Sequence, residues 1–513
     1  MEYLLDLADS LAAQCDTPPR PDFPLSGELS RLALPSSAEE WLVRRECASK
    51  DNNNYAIKGM GYFAHKTIPA GTFLIVAKPL ATAMDWEEDC DDDEGDGDDD
   101  QDLEEEEDKG MEPKLNSMIV LQLLGELKVK PELWTNVLAE LFPRTADELA
   151  RLPTFCCRDD KIEALRTSHL QEIERQPSHP LSSKVDEIAV RLPLIVRYNV
   201  LSIETCPELL SHPGPEGHAN LGGVGLYHLP SFFNHSARPN CTRYAVGDVM
   251  FFVSNQDIKE GDEACICYIE HDVLCESAYR RNLMLQMDFE EDENTNDNND
   301  TTALEEDGPD LPVVDSEVQN ELMAMDSFER LQAIEELLQQ AHGTSPSQAD
   351  ESNDKEEDAD MEEDAAMDTT ESGWFLCDVH NLRILKAITL DGLGQTAEAL
   401  KIWEECVEFT EKNLPPLDEN SIVMGVQAAL CSLHMAGGSA YGSKEYIKRA
   451  NDHADKALDA HNKLFGGGAA RLRRRFKNDF QLSLRSSAGG SSTVASGKDA
   501  IDLLWPLTAQ GAT

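Results

Sequence analysis

Residues 223–241 read Gly223-Val224-Gly225-Leu226-Tyr227-His228-Leu229-Pro230-Ser231-Phe232-Phe233-Asn234-His235-Ser236-Ala237-Arg238-Pro239-Asn240-Cys241. After one strand pair comes Ile258-Lys259-Glu260-Gly261-Asp262-Glu263-Ala264-Cys265-Ile266-Cys267-Tyr268. In the first stretch, Asn234-His235-Ser236 is a polar cluster directly behind an apolar pair and just before a Pro-Asn turn. Polar side chains drawn inward beside such a pair must be hydrogen-bonded or functional. In the second stretch, Gly261-Asp262 is a turn that opens a strand, and Tyr268 ends it. The phenol then sits at a strand terminus, where it can line a cleft. On these residues alone, a ligand site and a purely structural role both stand open.

The chain around these motifs has 513 residues, a net charge of −54 and 41% hydrophobic residues. That length predicts two to four domains, at roughly 150 residues each. The charge is concentrated: residues 87–109, 288–310 and 350–371 hold 17, 11 and 12 acidic residues, opposed only by Lys109 and Lys355. Like charges repel and these tracts lack apolar anchors, so they read as disordered. A field of this sign argues against a phosphate-neutralising surface, so no direct nucleic-acid binding is expected, and it suits a basic partner. No run of about 18 uncharged apolar residues is present, so no membrane span is expected. Met1-Glu2-Tyr3-Leu4-Leu5-Asp6-Leu7 lacks a basic region before a long apolar stretch, which argues against a signal peptide. Thirteen cysteines without regular spacing make no disulfide framework, which points to the cytoplasm or nucleus.

Periodicity divides the rest. Leu4, Leu5, Leu7 and Leu11 sit at helical spacing before Pro18-Pro19 breaks the pattern. From Trp41 to Met84 the chain reads as two short strands joined by the turn Ile68-Pro69-Ala70-Gly71. Ile119, Leu123, Leu124 and Leu127 form one helical stripe, and Ile188, Leu192, Ile195 and Val196 another. After Trp374, Gly394-Gln395-Thr396-Ala397-Glu398-Ala399-Leu400 suggests paired helices of tetratricopeptide type, with a generic helical domain as the alternative. The Gly/Ser-rich end carries a basic patch, Arg471, Arg473, Arg474, Arg475 and Lys477.

The pattern N-H-S-x-x-P-N-C at 234–241, followed by G-D-E-x-x-x-x-Y at 261–268, resembles the SET domain of protein lysine methyltransferases. The preceding G-V-G-L-Y and S-x-x-N-H-S look most like its SET-and-MYND subfamily, and Lys58-Gly59-Met60-Gly61 resembles the early G-x-G turn of that family. The resemblance implies an α+β fold: short β-sheets with a pseudoknot and a helical insertion, then an α-helical, TPR-like domain. The corresponding organisation is an N-terminal helical extension at 1–40 and a SET domain at 41–289. Within the latter lie an acidic disordered insertion at 87–110 and a helical insertion at 113–197. An acidic linker at 290–372 with a short helix near 316–341, a helical domain at 373–465 and a tail at 466–513 complete it.

The same resemblance implies transfer of methyl groups from S-adenosylmethionine to the ε-amine of lysine, in a histone tail or another basic protein. Tyr268 would hold the methyl and amine geometry as the catalytic residue. Lys58, Gly59, Met60, Asn199, Asn234, His235, Tyr268 and Phe289 would meet the cofactor, the G-x-G by letting backbone approach its methionine moiety closely. The motifs do not specify the substrate or the degree of methylation. The departures favour an alternative: a non-catalytic SET scaffold binding basic clients through its helical domain and acidic tracts. The acidic tract stands where the subfamily inserts its MYND module, and Met287 stands where a tyrosine is commoner. Ala237 replaces a zinc-ligating cysteine, and Phe289 is followed by Glu290-Glu291-Asp292-Glu293 instead of a cysteine knuckle. Both halves of that zinc site are missing together, so no metal is expected. Elemental analysis of the purified protein should find no stoichiometric zinc, and chelators should leave it unchanged; one tightly bound zinc per chain would overturn this reading.

Overall fold

The computed structural model describes residues 38–47, 59–84, 111–150, 152, 156–157, 159–203, 222–236, 239–246, 249–268, 316–343, 373–438, 443–466, 469 and 472. The sequence expectations for residues 1–37, for the acidic tracts and, apart from residues 466, 469 and 472, for the Gly/Ser-rich tail lie outside them. The chain divides into two compact units: Met1–Tyr268 with Asn462–Phe476, and Ile269–His461 with Lys477–Thr513.

The first unit is built on short strands: β1 (Leu42–Glu46), β2 (Met60–Ala64), β3 (Phe73–Ala77), β4 (Ala81–Met84), β5 (Met111–Glu112), β6 (Cys156–Cys157), β7 (Val200–Ser202), β8 (Gly223–Leu226), β9 (Asn234–His235), β10 (Cys241–Val246), β11 (Val249–Ser254) and β12 (Glu263–Ile266). They form small sheets ordered β1-β2-β12-β9, β10-β11-β3, β4-β8-β7 and β5-β6. β3 and β11 are apolar along nearly their whole length, and both are buried throughout. In β12 the side chains alternate, so Ala264 and Ile266 enter the core while Glu263 and Cys265 share the opposite face.

β2 and β3 do not pair with each other, as a simple hairpin would. β2 lies between β1 and β12, and β3 lies beside β11. Two I-x-x-G turns explain the difference. Ile68-Pro69-Ala70-Gly71 follows β2 and Ile258-Lys259-Glu260-Gly261 precedes β12, and the two turns meet at an Ile68–Ile258 bridge. Gly71 N donates to Ser254 O at 2.8 Å, and Gly261 N donates to Ala64 O at 2.8 Å. Each turn is thus closed by the end of the strand that precedes the other. Both glycines stand at positive φ, 81° and 93°, a conformation that costs other residues about 1 kcal/mol or more.

The longest helices of the helical insertion are α1 (Lys114–Val129), α2 (Asp160–Glu174) and α3 (Val185–Asn199), with short helical turns between them. The two apolar stripes legible in the sequence, on α1 and α3, are buried in the same core as the strands. Arg191 of α3 ties in the preceding loop, donating from Nε to Pro143 O at 2.6 Å and from Nη2 to Ala139 O at 2.8 Å. Far along the chain, Leu464, Phe465 and Leu472 are also buried, and the Phe465 ring packs 4.9 Å from that of Tyr244 on β10.

The second unit is helical: α4 (Ser316–Ala324), α5 (Ser327–Gly343), α6 (Gly373–Gly392), α7 (Thr396–Asn413), α8 (Glu419–Gly438) and most of α9 (Ser443–Leu464). The region read as one short helix near 316–341 therefore contains two. α5 packs on α6, α6 on α7 and α7 on α8, and Gly394 at φ 75° makes the α6–α7 turn. His380 on α6 is fully buried, with its ring stacked 4.2 Å from that of Phe409 on α7. Neither ring nitrogen has a hydrogen-bond partner among the described residues. Burial, aided by the Arg383 charge, lowers its pKa to about 4. Because the folded value lies below the unfolded one, the neutral ring contributes stability that is complete above about pH 6.5 and lost as the pH falls towards 4. The loss is at most about 3 kcal/mol. Thermal melts of wild type and His380→Phe should therefore keep a fixed difference above pH 6.5 and shift against wild type as the pH falls towards 4. A constant difference across that range would show that His380 does not titrate in this way.

Candidate active site

The sheet β1-β2-β12-β9 gathers the sequence motifs. β9 pairs in parallel with β12, Asn234 opposite Cys265 and Ile266 opposite His235, and Ser236 N extends the ladder to Ile266 O at 2.9 Å. β12 in turn pairs with β2, placing Glu263 opposite Phe63 and Ala264 opposite Tyr62. The Gly59-Met60-Gly61 segment, which enters β2, and the Asn-His-Ser cluster are thereby brought to one sheet; β12 ends at Ile266, so Tyr268 follows the strand by two residues instead of ending it.

Each polar residue is fixed by the backbone around it. His235 Nδ1 accepts from Tyr268 N at 3.0 Å, and the two rings lie 5.4 Å apart. Tyr268 Oη donates to Phe233 O at 2.7 Å. Burial raises the pKa of this phenol, and Cys265, Glu263 and Cys47 raise it further, so it remains protonated at neutral pH. The apolar pair before Asn234 anchors the segment: Phe233 stacks on Phe252 at 4.7 Å, and Tyr62 packs on both Phe232 and Phe233. Asn240, in the Pro-Asn turn, bridges the β12 backbone by donating to Glu263 O at 2.7 Å and accepting from Cys265 N at 2.8 Å.

Asn234 belongs to a polar knot that sequence reasoning missed. Its Nδ2 donates to Glu263 Oε1 at 2.5 Å and to Cys47 Sγ at 3.2 Å, and the Cys47 thiol donates to the same Glu263 oxygen at 3.3 Å. Cys47 is separated from Asn234 by 187 residues and carries no motif, so no local signal pointed to it.

Other expected site residues are placed differently. Asn199 is buried at the end of α3, where its Nδ2 donates to Phe142 O at 2.6 Å and Ile195 O at 2.8 Å. Ser231 Oγ, donating to Asn199 O at 3.4 Å and also to Tyr227 O, connects it to the segment before Asn234. Met60 starts β2, half-buried, opposite Glu46. Lys58 and Phe289 lie outside the described residues.

The two glycines of the G-x-G separate in role. At Gly59 an added Cβ would meet only Arg144 Nη2 among the described residues, at 3.8 Å, an ordinary contact. At Gly61 it would fall 2.5, 2.6 and 2.7 Å from Glu263 Oε1, Asn234 Nδ2 and Cys47 Sγ. The second glycine therefore makes room for the polar knot; its space is not left to a ligand.

Comparison with known proteins matches this arrangement. Residues 59–269 match the SET domain family. The chain carries a SET domain. A stretch of 46 residues, 9% of the chain, is 44% identical to the potential protein lysine methyltransferase SET6 of Saccharomyces cerevisiae and covers 12% of that protein. Another, of 50 residues or 10% of the chain, is 48% identical to a SET and MYND domain-containing protein of Dictyostelium discoideum and covers 13% of it. The aligned stretches thus span about an eighth of each relative's length. Apart from residue 269, the matched residues lie in the first unit, and they include Asn234, His235 and Tyr268.

The contrast between the glycines is measurable. Gly61→Ala should lower stability by about 1–3 kcal/mol, because the knot must shift to admit the methyl group. Gly59→Ala should cost under about 1 kcal/mol. Denaturant midpoints check both, and equal effects at the two positions would overturn the assignment.

Proposed function

We propose that this SET domain is a protein-lysine N-methyltransferase using S-adenosylmethionine. The observation that supports it most directly is that Tyr268, His235 and Asn234 are joined through β9 and β12 into one polar site. The donor set suits that cofactor: Asn234 Oδ1 and Glu263 Oε2 have no hydrogen-bond partner among the described residues, so an acceptor and a carboxylate oxygen remain for its ammonium and amine groups. Among the described residues, a Cβ at Gly59 would meet only Arg144 Nη2, at 3.8 Å, so the backbone there is approachable. Asn234, His235, Gly59 and Met60 would hold the cofactor, with Asn199 through the Ser231 link and with Lys58 and Phe289 as the resemblance implies. When bound, the cofactor supplies a sulfonium methyl for in-line displacement by a neutral amine.

Tyr268 does the positioning. Its hydroxyl hydrogen is committed to Phe233 O, so the oxygen offers lone pairs to the N–H of an incoming lysine amine. Its raised pKa keeps it a neutral phenol, which avoids a phenolate that would hold the lysine as ammonium. His235 fixes the backbone of Tyr268 and so the direction of its ring. Orientation in a site with little water is the main requirement of such a displacement.

The substrate proposed is a Lys/Arg-rich protein, a histone tail or another basic protein, in the cytoplasm or nucleus. The reason is the charge of −54, whose acidic tracts attract basic chains over about a Debye length of 8 Å. Calorimetry with S-adenosylmethionine and radiolabelled methyl transfer to histones, ribosomal proteins and cell lysate test the proposal. Wild type should bind the cofactor and label a basic protein, and Tyr268→Phe should slow transfer by about a hundredfold. His235→Ala should also lose activity. Unchanged activity in both variants would refute the site, and absent binding by folded wild type would refute the enzyme.

A further inference from the structure

The knot around Gly61 has a consequence for ligand selection. An asparagine side chain ordinarily offers a ligand both a donor and an acceptor, and either edge can face outward. Here both hydrogens of Asn234 Nδ2 are committed inward, one to Glu263 Oε1 at 2.5 Å and one to Cys47 Sγ at 3.2 Å. The thiol of Cys47 spends its own hydrogen on the same carboxylate oxygen at 3.3 Å, closing a three-membered ring of hydrogen bonds. Flipping the amide would set Oδ1 against the Glu263 carboxylate, two acceptors at contact distance, so one orientation is enforced. Gly61 beneath the ring leaves it the required space.

We infer that Glu263 and Cys47 are positioning residues that lock Asn234 as an acceptor-only group, so that the site selects a ligand presenting N–H donors. This rests on reading the site as one for S-adenosylmethionine, which carries such donors in its ammonium and adenine amine. Glu263 draws its strength from charge, since hydrogen bonds to a carboxylate are about twice as strong as neutral ones. Cys47 adds the second inward acceptor, which an alanine cannot supply.

Calorimetric Kd for S-adenosylmethionine on the full chain, together with melting temperature, tests the inference. Glu263→Gln and Asn234→Asp should each raise Kd at least about tenfold with the fold retained, the first by freeing the amide to flip and the second by opposing two carboxylates. Cys47→Ala should raise it by a smaller factor, and Cys47→Ser should restore it. The exchanged pair, Glu263→Gln with Asn234→Asp, should recover to within about threefold of wild type. In that pair the amide introduced at position 263 donates to the carboxylate introduced at position 234, whose second oxygen still faces outward. A purely structural role would move melting temperature without this reciprocal recovery. If wild type binds but Glu263→Gln and Cys47→Ala leave Kd unchanged, or the exchanged pair stays as weak as the single variants, the positioning role is overturned alone. If folded wild type does not bind S-adenosylmethionine, both the inference and the functional reading fall.

Discussion

The parallel pairing of β9 with β12 is the contact on which the site depends. It is only two residues long, yet Asn234 opposite Cys265 and Ile266 opposite His235 bring two motifs together and aim the chain at Tyr268. So short a ladder supplies little by itself, because each net hydrogen bond contributes about 1 kcal/mol. It persists because both flanks are fixed independently. On one side Phe232 and Phe233 are buried against Tyr62 and Phe252; on the other, Asn240 substitutes its side chain for a missing strand along β12. The polar residues are held by apolar neighbours one position away.

A second constraint fixes where that sheet can sit. The facing turns at Gly71 and Gly261 couple β2 to β12 and β3 to β11 by closing each turn on the strand end that precedes the other. Because each glycine is at positive φ and each isoleucine is buried in the shared bridge, the two sheets keep a set spacing. The Glu263 side chain, just beyond the second turn, can then reach across β2 to Cys47 at the end of β1. The position of the carboxylate is therefore inherited from a turn whose own sequence carries no chemistry.

Much of this was legible from residue order. The α1 and α3 stripes have helical periods and are buried as those periods require, because amphipathic spacing reports which face seeks the core. Asn234-His235-Ser236 could be singled out because polar groups behind an apolar pair must find partners. What stayed hidden depends on contacts distant in sequence. The two strands joined by the Ile68–Gly71 turn do not pair with each other: β3 pairs with β11 and β2, besides its neighbour β1, with β12, both in segments far along the chain. Cys47, a single thiol at the end of a strand, had no neighbour pattern to distinguish it from an ordinary buried cysteine. His380 was equally silent, since a histidine within a helical stripe reads as a surface residue until its stacking on Phe409 is known.

The G-x-G shows how a motif can be recognised correctly and explained for only one of its members. Two glycines two residues apart on a strand share a face, so the sequence suggests one cause for both, a closely approaching ligand. The structure gives them different neighbours. Among the described residues a Cβ at Gly59 would meet only Arg144 Nη2, at ordinary contact distance, whereas the volume beside Gly61 is filled by three polar atoms of the protein itself. A glycine marks only that something lies where a Cβ would stand, and it is silent about whether that something is ligand or protein. At Gly61 the occupant is the ring that orients Asn234, so this glycine bears on the ligand through the asparagine it allows to be held.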